Sequence, residues 1–138
     1  MREAIRARIL ARSDRAGTIA QETKADPART QQRVAEAIYQ YVCCKFLLDP
    51  EENRGKSLAA LAERSLETAI ENHIPIAKES ETATTCGAAG SSAMKVALLL
   101  NAVKKDFGVV ITPQRLGRAK DPAELGELVW RAMCGEEL

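Results

Sequence analysis

Aromatic residues make up 4% of this 138-residue chain, and histidine is reduced to the single His73. With so few rings, a core must be built from Leu, Ile, Val, Ala and Met, which favours helices over a β-sandwich. One histidine and four cysteines (Cys43, Cys44, Cys86, Cys134), with no CxxC and no metal spacing, exclude a recognisable zinc centre. Adjacent thiols on a helix diverge, so Cys43 and Cys44 read as structural rather than as a redox pair. Cys86 is a lone loop thiol with no base near it in sequence. No apolar run is long enough to span a membrane, so none is expected. The opening "MREAIRARIL" is charged where a signal peptide needs its apolar region, so reduced thiols in a cytoplasm are the expected state. Also missing are a paired-carboxylate site, a Ser/His/Asp set and a glycine-rich phosphate loop, since "GAAGSS" lacks the P-loop lysine. These absences argue against an enzyme.

What is present is an ordinary globular balance, 46% hydrophobic and 28% charged, in a length that suits one domain or a small domain with an extension. Net charge is +1, so the chain is not a globally basic nucleic-acid binder. The charge is uneven: residues 1–57 hold 11 Lys+Arg against 8 Asp+Glu, and residues 58–138 hold 9 against 11. That shift, with the segment "DPEENRG" at 49–55, divides the chain into a helical extension, 1–56, and a second unit, 57–138.

Helical spacing is the dominant pattern. Residues 3–13 predict a weak helix that breaks at "SDRAGT", and Asp26-Pro27 predicts the cap and first turn of a stronger one. Its stripe is Val34, Ile38, Tyr41, Val42 and Phe46. Beyond 57, Leu58, Leu61, Ala62, Leu66, Ala69 and Ile70 share one face, followed by the loop "PIAKESETATTCGAAG". Ser91 or Ser92 then caps a helix over about 92–106, with Val96, Leu99, Leu100 and Val103 inward and Phe107-Gly108 at its end. A short helix starts at Pro113, and Asp121-Pro122-Ala123-Glu124 carries the cap, proline and acid of a last helix. The expected fold is therefore all-α, with residues 57–138 as four helices joined by a long first connection.

The stretch "GSSAM" at 90–94, Phe107-Gly108, Ile111-Thr112-Pro113 and Asp121-Pro122 stand in one ungapped register. In that register residues 57–138 resemble an acyl or peptidyl carrier protein. The family's attachment motif, Gly-x-Asp-Ser-Leu/Met, falls on Gly90, Ser92, Ala93 and Met94. The resemblance implies a four-helix carrier domain. Its serine would hold phosphopantetheine at a helix start, where free N–H groups and the dipole favour a phosphodiester. The arm would tether thioester intermediates of fatty-acid, polyketide or nonribosomal-peptide synthesis. Implied partners are acyl- or aminoacyl-transferring enzymes and a phosphopantetheinyl transferase.

Ala93 stands where the attachment serine belongs and has no hydroxyl, so no phosphopantetheine is expected on it. Three explanations are open: a carrier fold turned scaffold or regulator, an acceptor shifted to Ser92 or Ser91, or an original serine exchanged for alanine. A one-residue shift turns a helical side chain by about 100°, which disfavours the second. The bland reading of Ser91 and Ser92 is a helix cap, and that of Met94 and Leu98 is packing. The helix after the turn bears Lys95, Lys104 and Lys105 against Asp106, the reverse of the acidic face common in the family. A rival of another class is a helix-turn-helix over residues 17–38, with Arg29, Gln31, Gln32 and Arg33 facing DNA. Lys24 replaces its usual turn glycine and Thr30 its apolar residue, so nucleic acid is not the expected partner.

Overall fold

The computed structural model describes residues 2–71 and 91–138. Over these residues the chain is six α-helices without a strand: α1 (Arg2–Ala25), α2 (Gln31–Phe46), α3 (Leu58–Glu71), α4 (Ser92–Phe107), α5 (Pro113–Arg118) and α6 (Pro122–Met133). The all-α class is thus the observed one.

Local chemistry explains most of the boundaries. Thr112 caps α5 by accepting from the Arg115 N–H, and Asp121 caps α6 by accepting from the Glu124 N–H, each followed by proline in the first turn. Gly108 ends α4 in the left-handed region at φ 66°, where a side chain is rarely tolerated. The stripe of α2 is buried as its spacing predicts, with Val34, Ile38, Tyr41 and Val42 wholly inaccessible.

Two helix limits differ from the sequence expectation. "SDRAGT" does not break α1, which runs unbroken to Ala25. Thr18 turns its hydroxyl back to the Asp14 carbonyl, and Thr23 does the same to Ile19, so neither pulls the backbone out of the helix. Ala16, Ile19, Ala20 and Thr23 are buried, and packing against α2 outweighs the weak propensity of Gly17. The second difference is the start of α2. Asp26 does not cap it; its carboxylate accepts from the Ala28 N–H and faces Arg33 at 3.2 Å. Thr30 is the cap, accepting from the Arg33 N–H at 3.2 Å. Thr30→Ala is therefore expected to cost about 1 kcal/mol in urea unfolding. A larger loss from Asp26→Ala would reverse the assignment.

α2 organises the packing. It lies along α6 and against α1, while α3 pairs with α4 and α4 also reaches α1. The core draws on both sides of the charged segment at 49–56, joining Ile38, Tyr41 and Val42 to Leu61, Val103 and Val129. That segment is a closed turn. The Asp49 carboxylate accepts from the Glu51 N–H, and buried Asn53 donates to the Asp49 carbonyl at 2.7 Å. Arg12 of α1 and Ser65 of α3 donate to the carbonyls of Leu48 and Phe46, which fastens the end of α2 to both helices.

Candidate functional site at the start of α4

The α4 turn begins at Ser91, whose extended backbone (φ −84°, ψ 151°) places its hydroxyl oxygen 3.1 Å from the Met94 N–H as acceptor. The Ser91 carbonyl accepts the first helical bond, from Lys95. Ser91, Ser92 and Met94 are half-buried, and Ala93 is exposed in the first turn. A substituent on residue 93 thus points to solvent, whereas Ser91 is engaged in the cap. Gly90, Cys86 and His73 lie outside the described residues, as does the loop 75–90.

The turn offers backbone donors and two hydroxyls, with the Lys95 side chain three residues after Ser92 but no carboxylate or histidine beside them in sequence. Among the described residues no three His, Cys, Asp or Glu side chains gather as metal ligands. Cys43 and Cys44 are buried free thiols, and burial pushes the Cys43 thiol up, away from the reactive thiolate. Cys134 is free and exposed. No helix among the described residues is long and apolar enough to cross a membrane.

Residues 17–38 form the end of the 24-residue α1, a turn and the first half of α2. Arg29 donates to the Lys24 carbonyl at the end of α1, and Arg33 pairs with Asp26. Two of the four side chains proposed to face DNA are thus engaged in building their own turn.

Two concavities join residues that are remote in sequence. The first, about 460 Å³, is a groove between α2, the turn at 54–56 and the start of α6, floored by Ala35, Tyr39 and Pro122. The Arg54 guanidinium grips Glu36 through both oxygens, at 2.8 and 2.7 Å, and lies 4.5 Å over the Tyr39 ring. That hydrogen-bonded pairing holds the Glu36 carboxyl below the usual range. The second, about 230 Å³, lies between the end of α2 and α4. Sequence reading singled out Lys95 and Leu98 but not Lys45 beside them. A contact between α2 and α4 leaves no periodic signal in either helix alone.

No protein-family model matches this sequence, and no curated protein or solved structure shows significant similarity to it.

Proposed function

We propose that the chain is a carrier-type helical protein in an unmodifiable form. It presents the α4 turn to acyl- or aminoacyl-transferring enzymes of a cytoplasmic thioester pathway, but with alanine at 93 it bears no phosphopantetheine arm. The observation that carries this reading is the agreement of four helix limits with four landmarks of one register. The α4 cap stands at Ser91, its end at Gly108, the α5 cap and proline at Thr112-Pro113, and the α6 cap and proline at Asp121-Pro122. The exposure of Ala93 in the first turn of α4 supports it further, because a tethered arm must leave the protein there. The reading assigns the chain no bond chemistry.

Intact-mass analysis after incubation with coenzyme A and a broad-specificity phosphopantetheinyl transferase tests this. The native chain is expected to keep its mass and Ala93→Ser to gain one phosphopantetheine. A gain on the native chain would move the acceptor to Ser91 or Ser92. No gain on a folded Ala93→Ser variant would remove the carrier reading.

A further inference from the structure

The cationic surplus of the first 57 residues is confined to one place. Residues 1–15 hold five arginines (Arg2, Arg6, Arg8, Arg12, Arg15) against Glu3 and Asp14, whereas residues 16–57 hold six Lys+Arg against six Asp+Glu. No lysine is among the five, and from 4 to 13 there is no carboxylate. The fold leaves this stretch uncovered. No described side chain of α1 is buried before Ala16, and Leu10 is 58% exposed. Arg6 and Arg8 are exposed and make no ion pair or hydrogen bond among the described residues, Glu3 and Asp14 included. Arg12 donates to the Leu48 carbonyl, a neutral acceptor that leaves its charge in place. Arg15 stands 3.9 Å from Glu22 with both side chains more than half exposed, so water and salt screen the pair.

A helix turns about 100° per residue, which sets Arg6 about 200° from Arg8 and puts Arg12 and Arg15 on the flank of Arg8. Between the two flanks, on the side away from buried Ala16 and Ile19, lie exposed Ala4, Ala7, Leu10 and Ala11, with Glu3 and Asp14 only at the two ends of the stretch. Arginines on two flanks of a narrow helix match a groove walled by two rows of phosphates. The guanidinium fork takes two phosphate oxygens at once, which an ammonium does not. The major groove of duplex DNA, about 12 Å wide, admits a helix, and small outward residues let it approach. One leucine among alanines is too little apolar surface for a lipid interface. We propose that the first half of α1 is a DNA-contact surface, which lies in the major groove and holds the phosphates on its two sides through Arg6 and through Arg8 with Arg15. Alanines offer no hydrogen bond to base edges, so the contact positions the chain without reading sequence. Nucleic-acid contact thereby falls on α1 and not on the turn within 17–38, where Arg29 and Arg33 are engaged. The inference needs neither a carrier role nor any chemistry at residue 93.

The test is fluorescence anisotropy of the full chain with a labelled DNA duplex of about twenty base pairs. Saturable binding is expected, alike for duplexes of unrelated sequence, with a log–log salt slope of about −3. Arg6→Gln combined with Arg8→Gln should weaken binding by about tenfold or more and make the slope shallower by about two. Leu10→Ala, and Lys105→Gln on α4, should each change it by less than about twofold. Should the double variant unfold, Arg8→Lys serves instead: it keeps the charge and loses the fork, so affinity should fall by about threefold at an unchanged slope. No binding at low salt, an unchanged slope in the folded double variant, or an equal loss from Lys105→Gln overturns the proposal. So does equal affinity for polyglutamate, which would make any polyanion sufficient. Tighter binding of phosphatidylserine vesicles, lost with Leu10→Ala, overturns it in favour of a membrane surface.

Discussion

Gly126→Ala is expected to destabilise the fold by about 3 kcal/mol, although alanine is the better helix former by about 1 kcal/mol. Gly126 is buried where α6 crosses α2. A Cβ built on it meets the Ala35 Cα at 2.6 Å and the Ala35 Cβ at 3.0 Å. The obstacle is backbone, which cannot rotate aside as a long side chain could. The two helices must therefore separate, and they are the pair on which α2 relies most for its packing. Separation loosens the burial of Leu125 and Val129. Ala35→Gly in the same chain removes the Cβ contact but not the Cα one, so it should restore only part of the loss. Gly117→Ala is the matched control, because nothing lies within 4 Å of its added Cβ. Denaturant midpoints of the variants decide the matter. A Gly126→Ala protein as stable as the native chain would mean that the helices do not cross this closely.

The second large effect is alkaline. Tyr41 is fully buried, donates its hydroxyl to the Asp106 carboxylate and meets the edge of Phe107 with ring centres 5.1 Å apart. Burial, and then the bond to an anionic acceptor, push its ionisation far above the ordinary value near 10. The folded protein thus keeps a proton that the unfolded chain releases. The stabilisation is full below pH 10 and is lost as pH rises past it, at about 1.4 kcal/mol per pH unit. Over two units this approaches about 3 kcal/mol, the scale of the Gly126 effect. Tyr39 and Cys43 are raised chiefly by burial as well, and add loss of the same sign. Tyr41→Phe isolates one slope: its stability, measured by urea unfolding between pH 10 and 12, should fall less steeply than that of the native chain by a difference that approaches about one proton as pH rises past 11. The variant should still fold, since Asp106 keeps Lys45 and partial solvent contact. Parallel slopes would show that the Tyr41 hydroxyl is not buried against a carboxylate.

Both effects arise from contacts between α2 and helices far along the chain, and such contacts mark the limit of what the sequence reveals. The cap at Asp121, the cap of α4 as Ser91 or Ser92, and the start of α5 at Pro113 were legible because each signal acts within three residues, as the bonds to Ser91, Thr112 and Asp121 do. The end of α4 at Gly108 was legible for the same reason. The buried stripe of α2 was legible from its period alone. The start of α2 was not, because Asp26 and Thr30 are both good caps four residues apart. What decides between them is the bonding of Asp26 to Ala28 and Arg33, together with Arg29 closing the end of α1. The continuity of α1 was hidden by a Ser-Asp-Gly stretch whose local preference yields to burial of Ala16 and Ile19.

At the candidate site the alanine at 93 and the capping serine before it were present in the sequence, whereas the cavity beside them was not. Lys45 and Lys95 become neighbours only because α2 and α4 enclose Phe46 and Leu99, and no local pattern encodes that approach. By itself, then, the sequence determined the helices and their ends, since caps, glycines and periodicity act over a turn or two. Which helix lies on which, with Gly126 against Ala35 and two lysines around Leu98, was decided by tertiary structure, because burial rewards whichever faces fit regardless of their separation along the chain.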